Sequence, residues 1–282
     1  MDAKTYDFIK QQILKLTGIN LDFYKSEQMQ RRLGTFLIRS GHKDWASLFK
    51  EASSDPAASR RLKDFLTINV SSFFRDTDKY SHLQRVILPQ LLQERPRLRI
   101  WSAGCSRGQE PYTIAMVLTE LTGNADQHYL LATDLDRSAL DWAQAGGPYT
   151  SDDVAGMPAA WRERYFAQRD GKYWLNRKLR HQIRFKQQNL LEDPFENNFD
   201  LIICRNVVIY FTAPVKDELY QRFRDALRPG GILFVGGTEI VPKASSLGLE
   251  TVGISFYRRN GVDKGATRYE RSISQPLQRS SL

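Results

Sequence analysis

The chain has 282 residues, 41% hydrophobic and 11% aromatic, enough apolar side chain for one sizeable core plus a smaller satellite domain, which excludes disorder throughout. Its longest apolar runs, such as residues 201–204 and 232–235, fall far short of the ~20 residues that a membrane helix needs, and residues 1–10 carry acids without an apolar signal core, so a cytoplasmic protein is expected. A formal net charge of +9 favours an acidic partner, while two cysteines and four scattered histidines exclude a disulfide scaffold and offer no metal-ligand spacing.

Tyr6, Ile9, Ile13 and Leu16 share one face of a predicted first helix that stops at Gly18. A second helix over residues 25–39 places Met29, Leu33, Phe36 and Leu37 inward, with Lys25, Arg32 and Arg39 at every seventh position on another face. Shorter helices over 45–52 and 57–66 complete an all-helical domain, taken as residues 1–72, and a linker with a connecting helix follows over 73–97. From residue 98 to 259 the pattern becomes short apolar strands alternating with helices, the grammar of a parallel sheet. Strands are predicted at 98–103, 129–133, 183–186, 201–204 and 232–235, with an antiparallel pair at 249–252 and 254–258. Residues 147–182 are too long for one crossover, and Tyr173, Trp174 and Leu175 after Asp170-Gly171 predict an inserted β-hairpin subdomain. The Arg- and Ser-rich residues 260–282 lack periodicity and are expected to be disordered.

Four segments carry possible chemistry. After the first strand, Gly104 and Gly108 form a loop that leads into a helix opened by Pro111, the expected place for a nucleotide-like ligand. The spacing is neither GxGxxG nor a P-loop, and two glycines after a strand also fit a plain tight turn. The second strand ends in Asp134-Leu135-Asp136; one acid there can accept both hydroxyls of a ribose and the other can cap the next helix, and Asp134 is assigned to the ribose. Glu110 is either a helix cap or a partner for a cationic group. Arg205 and Asn206, at the end of the buried strand 201–204, point to the same crevice, followed by Tyr210 and Phe211. Finally, residues 67–76 join the two domains, where ligands often bind, although a hinge with Phe73 and Phe74 packed inside fits them too.

In this order the segments TINVSSFFRD, IWSAGCSRGQEPYTIAM, LLATDLD, QQNLLED, DLIICRNVVIYF and LRPGGILFVGGTE resemble the chemotaxis receptor methyltransferases, the protein-glutamate O-methyltransferases commonly called CheR. The resemblance runs from about Tyr6 to Arg258, and its most specific pieces are the FFRD junction and the CRN strand end. It implies an α/β fold: a Rossmann-like S-adenosylmethionine-dependent methyltransferase domain, an N-terminal all-helical domain and a small inserted antiparallel β-subdomain. It also implies cofactor contacts at Asn69, Ser71, Arg75, Glu110, Asp134, Asn189, Leu190, Arg205 and Asn206, with Arg75 and Tyr210 beside the transferring methyl group. Ser71 stands where the family more often has threonine. S-adenosylmethionine is the implied cofactor, S-adenosylhomocysteine the product, and no metal is expected. The implied partners are cytoplasmic helices of chemoreceptors, docking on Lys25, Arg31, Arg32 and Arg39. The short turn at 169–172 resembles family members that use no receptor pentapeptide tether. Neither nucleic-acid binding nor direct membrane insertion is expected. A methyltransferase for RNA or a small molecule, or a silent cofactor-sensing adaptor, are the rivals; the first lacks an aromatic-basic binding module, the second does not need Arg75, Asn206 and Tyr210.

Overall fold

Asp2 opens the first helix by accepting the N–H of Thr5 at 2.9 Å, and Gly18, left-handed at φ 73°, closes it. This helix, α1 (Ala3–Thr17), packs with α2 (Ser26–Arg39), α3 (Trp45–Ser54) and α4 (Pro56–Leu66), the last two capped by Asp44 and Asp55. Together they bury Ile9, Ile13, Met29, Leu33, Leu48 and Leu62 in a core of their own. The arrangement is that of a computed structural model describing residues 1–261, so the expected disorder of the tail falls, from residue 262 on, outside the described residues.

The connecting helix is one continuous helical run in three parts: α5 (Thr77–His82), a π turn (Leu83–Ile87) and α6 (Leu88–Glu94). Pro89, which lacks an N–H, sits in the first turn of α6 directly after the π turn, where the regular ladder is already interrupted. Phe73, Phe74, Tyr80, Leu83, Leu88 and Leu91 all enter the core under the sheet, so this stretch is a layer of the second domain rather than a free linker.

The second domain is built on β1 (Arg99–Ala103), α7 (Gln109–Thr122), β2 (Tyr129–Asp134) and α8 (Arg137–Ala145). The insert follows, with short helices α9 (Ser151–Val154) and α10 (Ala159–Tyr165), the hairpin β3 (Phe166–Arg169) and β4 (Lys172–Leu175), and α11 (Arg177–Arg180). Asp170 and Gly171 both have positive φ, 50° and 71°, as a two-residue hairpin turn demands. The chain returns to the sheet through β5 (Ile183–Gln187), β6 (Phe199–Cys204), α12 (Ala213–Ala226), β7 (Leu227–Val235), β8 (Leu249–Gly253) and β9 (Phe256–Arg259).

The strand order is β5-β2-β1-β6-β7-β9-β8; the first five are mutually parallel, β9 is antiparallel to β7, and β8 to β9. Two apolar layers cover its faces, one containing α7 and the helical run from α5, the other containing α12. β7 begins five residues before the predicted strand, at Leu227. A register shift against β6 between Phe199 and Leu201 absorbs Pro229-Gly230, and Arg228 is fastened there to buried Asp200 and to Glu94.

The order reverses between β1 and β6, which opens a crevice beyond their C-terminal ends. One buried carboxylate ties the helical domain across it. Asp136 caps α8 by accepting the N–H of Ala139 at 3.0 Å, and its other oxygen accepts from Thr67 Oγ1 at 2.6 Å and Asn69 Nδ2 at 2.5 Å. Asp136→Ala leaves these donors without their acceptor, at a cost of about 2–3 kcal/mol, and is expected to lower the thermal midpoint by roughly 5–10 °C; a melting curve checks it, and an unchanged midpoint would show that the tie does not hold the domains.

Candidate active site

Two adjoining hollows form one crevice above β1 and β6, sharing Ile68, Gly104, Ser106, Asn206 and Val207. Every residue that the sequence assigned to cofactor or catalysis lines it. Asn69, Asp134, Asn189, Leu190, Asn206 and Tyr210 line the larger hollow; Ser71, Arg75, Glu110 and Arg205 line the smaller one. Helical-domain side chains that sequence reasoning did not assign, Ile19, Tyr24, Met29 and Leu66, close the larger hollow with an apolar wall. Their apolar spacing had marked some of them only as core.

The floor of the crevice is a closed ring of hydrogen bonds. Asp134 accepts the backbone N–H of Ser106 at 2.7 Å and of Asp136 at 2.9 Å. Ser106 Oγ donates to Asn69 Oδ1 at 2.9 Å, and Asn69 returns to Asp136. Thus the glycine loop, the end of β2 and the interdomain junction hold one another. Of the two acids after β2, Asp136 is the cap and Asp134 faces the crevice, the division read from sequence. A carboxylate has about four acceptor sites, so Asp134 keeps two for a ligand. Burial pushes its carboxyl up to about 6 against the opposing pull of those N–H groups.

Gly104 lies where β1 meets the loop, at φ 84°; a Cβ there would meet Val207 Cγ2 at 2.5 Å. The close approach keeps the shared strip of the crevice open. At the far end, Glu110 is not a cap: it accepts from Ser102 Oγ at 2.8 Å and stands 3.7 Å from Arg205 Nη1. Burial raises its carboxyl, and Arg205 pulls it back. Arg205 also donates to the carbonyl of Arg75 at 2.9 Å and to Asp76, and lies over the rings of Tyr80 and Phe234. Burial works against its charge, but Tyr80, Glu110 and Asp76 together hold its pKa above the ordinary value.

The junction is packed as a hinge and also lines the crevice. Phe73 is fully buried against Tyr149 and Phe166, at 4.9 and 5.1 Å between ring centroids, while Arg75 reaches the crevice and donates to the Val70 carbonyl at 3.1 Å. Phe74 and Asp76 flank Arg75 with φ 54° and 61°, a left-handed conformation that non-glycine residues adopt at a cost of roughly 1–3 kcal/mol each. Among the crevice-lining residues, Asn206 Oδ1, Gln188 Oε1 and Arg205 Nε are buried without a hydrogen-bond partner. Asn189, in contrast, spends its side chain locally, on Glu192 at 2.9 Å and on the N–H of Leu191 at 3.1 Å.

The assembled site can take an elongated ligand with a flat apolar end, hydroxyls in the middle and a cationic end at Glu110. The chain's residues 4–67 match the CheR methyltransferase all-alpha domain, and residues 69–254 match the CheR methyltransferase SAM binding domain. The chain belongs to the CheR methyltransferase family. It is therefore an S-adenosylmethionine-dependent methyltransferase. It is 38% identical to the chemotaxis protein methyltransferase of Listeria monocytogenes over 90% of this chain and 97% of that protein. It is 35% identical to chemotaxis protein methyltransferase 2 of Pseudomonas aeruginosa, over 88% of this chain and 90% of the relative. A similar match, 34% over 86% of this chain and 89% of the relative, joins it to the chemotaxis protein methyltransferase of Borreliella burgdorferi.

The basic residues of α2 divide. Lys25, Arg31 and Arg39 are exposed, but Arg32 turns inward, donating to the carbonyl of Phe65 and lying 5.0 Å from its ring centroid. Among the described residues no group of acids, histidines and cysteines could hold a metal, and no helix is long and apolar enough to cross a membrane. Gly104→Ala is expected to cost roughly 1–2 kcal/mol through its φ alone and to weaken S-adenosylhomocysteine binding by about tenfold or more; calorimetric titration checks it, and wild-type affinity would show that the strip above Val207 is not where the ligand passes.

Proposed function

We propose that this CheR-family enzyme transfers the methyl group of S-adenosylmethionine to glutamate side chains of chemoreceptors, with the cofactor lying along the crevice. The reading is supported by one observation above others: residues from two domains and from the ends of β1, β2 and β6 line a single hollow. The residues present fit the group. Ile19, Tyr24, Met29, Leu66 and Leu135 suit the adenine, the two free acceptor sites of Asp134 suit the ribose hydroxyls, and Glu110 suits the cationic amino acid end. The unpartnered oxygens of Asn206 and Gln188 await donors, as buried acceptors should.

Bound S-adenosylmethionine supplies an electrophilic methyl group on a sulfonium centre. A glutamate side chain, with a reference pKa of about 4.3, is already the carboxylate at neutral pH and needs no base from the protein. What the chain must supply is alignment, so that one carboxylate oxygen forms its bond to the methyl carbon as the carbon–sulfur bond breaks. Arg75, a planar donor held at the crevice by the Val70 carbonyl, orients the carboxylate, and Tyr210, which lines the adjoining larger hollow, supplies a second orienting donor. Arg205 neutralises Glu110 and Asp76 and fixes the backbone of Arg75. The exposed Lys25, Arg31 and Arg39 make the docking face for acidic receptor helices. The two-residue turn of the β3-β4 hairpin favours action without a pentapeptide tether, and the enzyme works in the cytoplasm.

Incubation with labelled S-adenosylmethionine and receptor-containing membranes tests the function: base-labile methyl ester on receptor protein is expected, and label on RNA, or binding without transfer, would overturn it. Arg75→Ala is expected to lower kcat by about a hundredfold at saturating cofactor, and full turnover would refute the role. Because the carboxylate form of Asp134 accepts ribose hydroxyls more strongly than the acid does, and burial pushes its carboxyl up to about 6, S-adenosylhomocysteine affinity is expected to hold above pH 6 and to weaken as pH falls below it. Asp134→Asn should bind weakly with a flat profile; a wild-type profile already flat from pH 5 to 7 would contradict the assignment. Reversing Arg31 and Arg39 to Glu should lower receptor methylation about tenfold while leaving S-adenosylhomocysteine affinity unchanged, and equal methylation would remove α2 from docking.

A further inference from the structure

We propose that Glu239 is a positioning residue for the methyl-transfer site, acting through the backbone of Asn206; the inference rests on the cofactor placement just described. Glu239 lies on the loop after β7 and is only 7% exposed. It touches no ligand-lining hollow itself. Its Oε2 accepts two backbone N–H groups, that of Gly236 at 2.5 Å on its own loop and that of Asn206 at 3.0 Å on the neighbouring loop after β6. The carboxylate is thus a clasp between the two loops that rise from adjacent strands at the C-terminal edge of the sheet.

What it clasps is unusual. Asn206 has φ 59°, a left-handed conformation that asparagine tolerates better than most L residues and that its backbone bond to Glu239 helps to hold. In that conformation Asn206 lines both hollows, and its Oδ1 is buried without a partner. Asn206 therefore offers an acceptor to the ligand from a backbone position that the Glu239 bond fixes. The clasp leaves no slack. A Cβ on Gly236 would stand 2.5 Å from Glu239 Oε2 and 3.1 Å from the N of Asn206, so carboxylate, glycine and asparagine backbone fill one another's space. Asn206 also follows Arg205, whose charge acts on Glu239, so the same clasp sets the start of the segment that carries the Arg205 contacts to Glu110 and Asp76. Burial raises the Glu239 carboxyl, as expected for an acid kept inside for the acceptors it offers. A merely structural acid would stabilise the fold without reaching the cofactor.

Three variants separate these roles. Glu239→Asp keeps the charge but draws the carboxylate back by one methylene, out of reach of both N–H groups together; Glu239→Gln keeps the length and an acceptor oxygen; Asn206→Gly lets position 206 take a positive φ unaided. Calorimetric titration with S-adenosylhomocysteine is read beside kcat, the KM for S-adenosylmethionine and the melting curve. The expected result is an affinity loss of about tenfold in Glu239→Asp, with KM rising in parallel, kcat little changed and the melting midpoint lower by a few degrees for the one N–H left unmet, and Glu239→Gln within about threefold of wild type. In the Asn206→Gly background, Glu239→Asp should add almost nothing, because the residue it positions is gone. Affinity within twofold of wild type in Glu239→Asp, or effects that simply add in the double variant, would overturn the inference and leave the cofactor placement standing. Failure of the wild-type protein to bind S-adenosylhomocysteine would overturn both.

Discussion

Asp136 serves two domains with one buried carboxylate. One oxygen completes the N-terminus of α8, and the other receives Thr67 and Asn69 from the segment that leaves the helical domain. Hydrogen bonds to a buried charge contribute about 1.5–3 kcal/mol each, and these are spent at the point where the chain must turn from one core to the other. Through Asn69 and Ser106 the same anchorage reaches the glycine loop, and through Asp134 it reaches the end of β2. These residues hold the floor of the crevice, while backbone bonds from Lys25 N–H to the Tyr210 carbonyl and from Thr212 N–H to the Phe23 carbonyl join the domains on another side. Its apolar wall comes from a domain that has no covalent reason to stay there.

The second constraint is charge. Arg205 is a buried cation placed between Glu110, Asp76 and the rings of Tyr80 and Phe234, and such a group is tolerable only with its partners in place. Each partner belongs to a different part of the site: Glu110 to the helix after the glycine loop, Asp76 to the junction, Tyr80 to α5. The consequence is that Arg75, whose carbonyl Arg205 also takes, is fixed from the sheet side although it belongs to the junction. The proposed methyl transfer, which needs no proton removed by the protein, would depend on such placement, and Phe74, Asp76 and Asn206 beside it have left-handed backbone.

Much of this was legible in the sequence, for physical reasons that differ by residue. Helix stops at Gly18 and strand–turn signals around Asp170-Gly171 act locally, and they are where they were expected. The sequence offered either Asp134 or Asp136 as a helix cap, and Asp136 is the one that caps α8. Arg32 was misleading because seven-residue spacing says only that residues share a face; it cannot tell an exposed guanidinium from one turned onto Phe65. The early start of β7 was hidden by Pro229-Gly230, whose tolerance depends on a shifted register and on Asp200, far away in sequence. The roles of Ile19, Met29 and Leu66 in the crevice were invisible for the same reason: apolar spacing marks burial without saying against what. Glu239 stood in a motif that matched the family, but nothing local reveals that its partner is a backbone N–H on another loop.

In the proposed binding mode the cofactor is gripped from three sides by two domains. Hydrogen–deuterium exchange of the full chain with and without S-adenosylhomocysteine reads each side separately. Slowed exchange is expected in all three walls, residues 67–75 of the junction, 104–110 with 134–136 of the glycine loop and β2 end, and 204–211 beyond β6. Protection confined to the sheet-domain loops, with residues 67–75 unchanged, would contradict it.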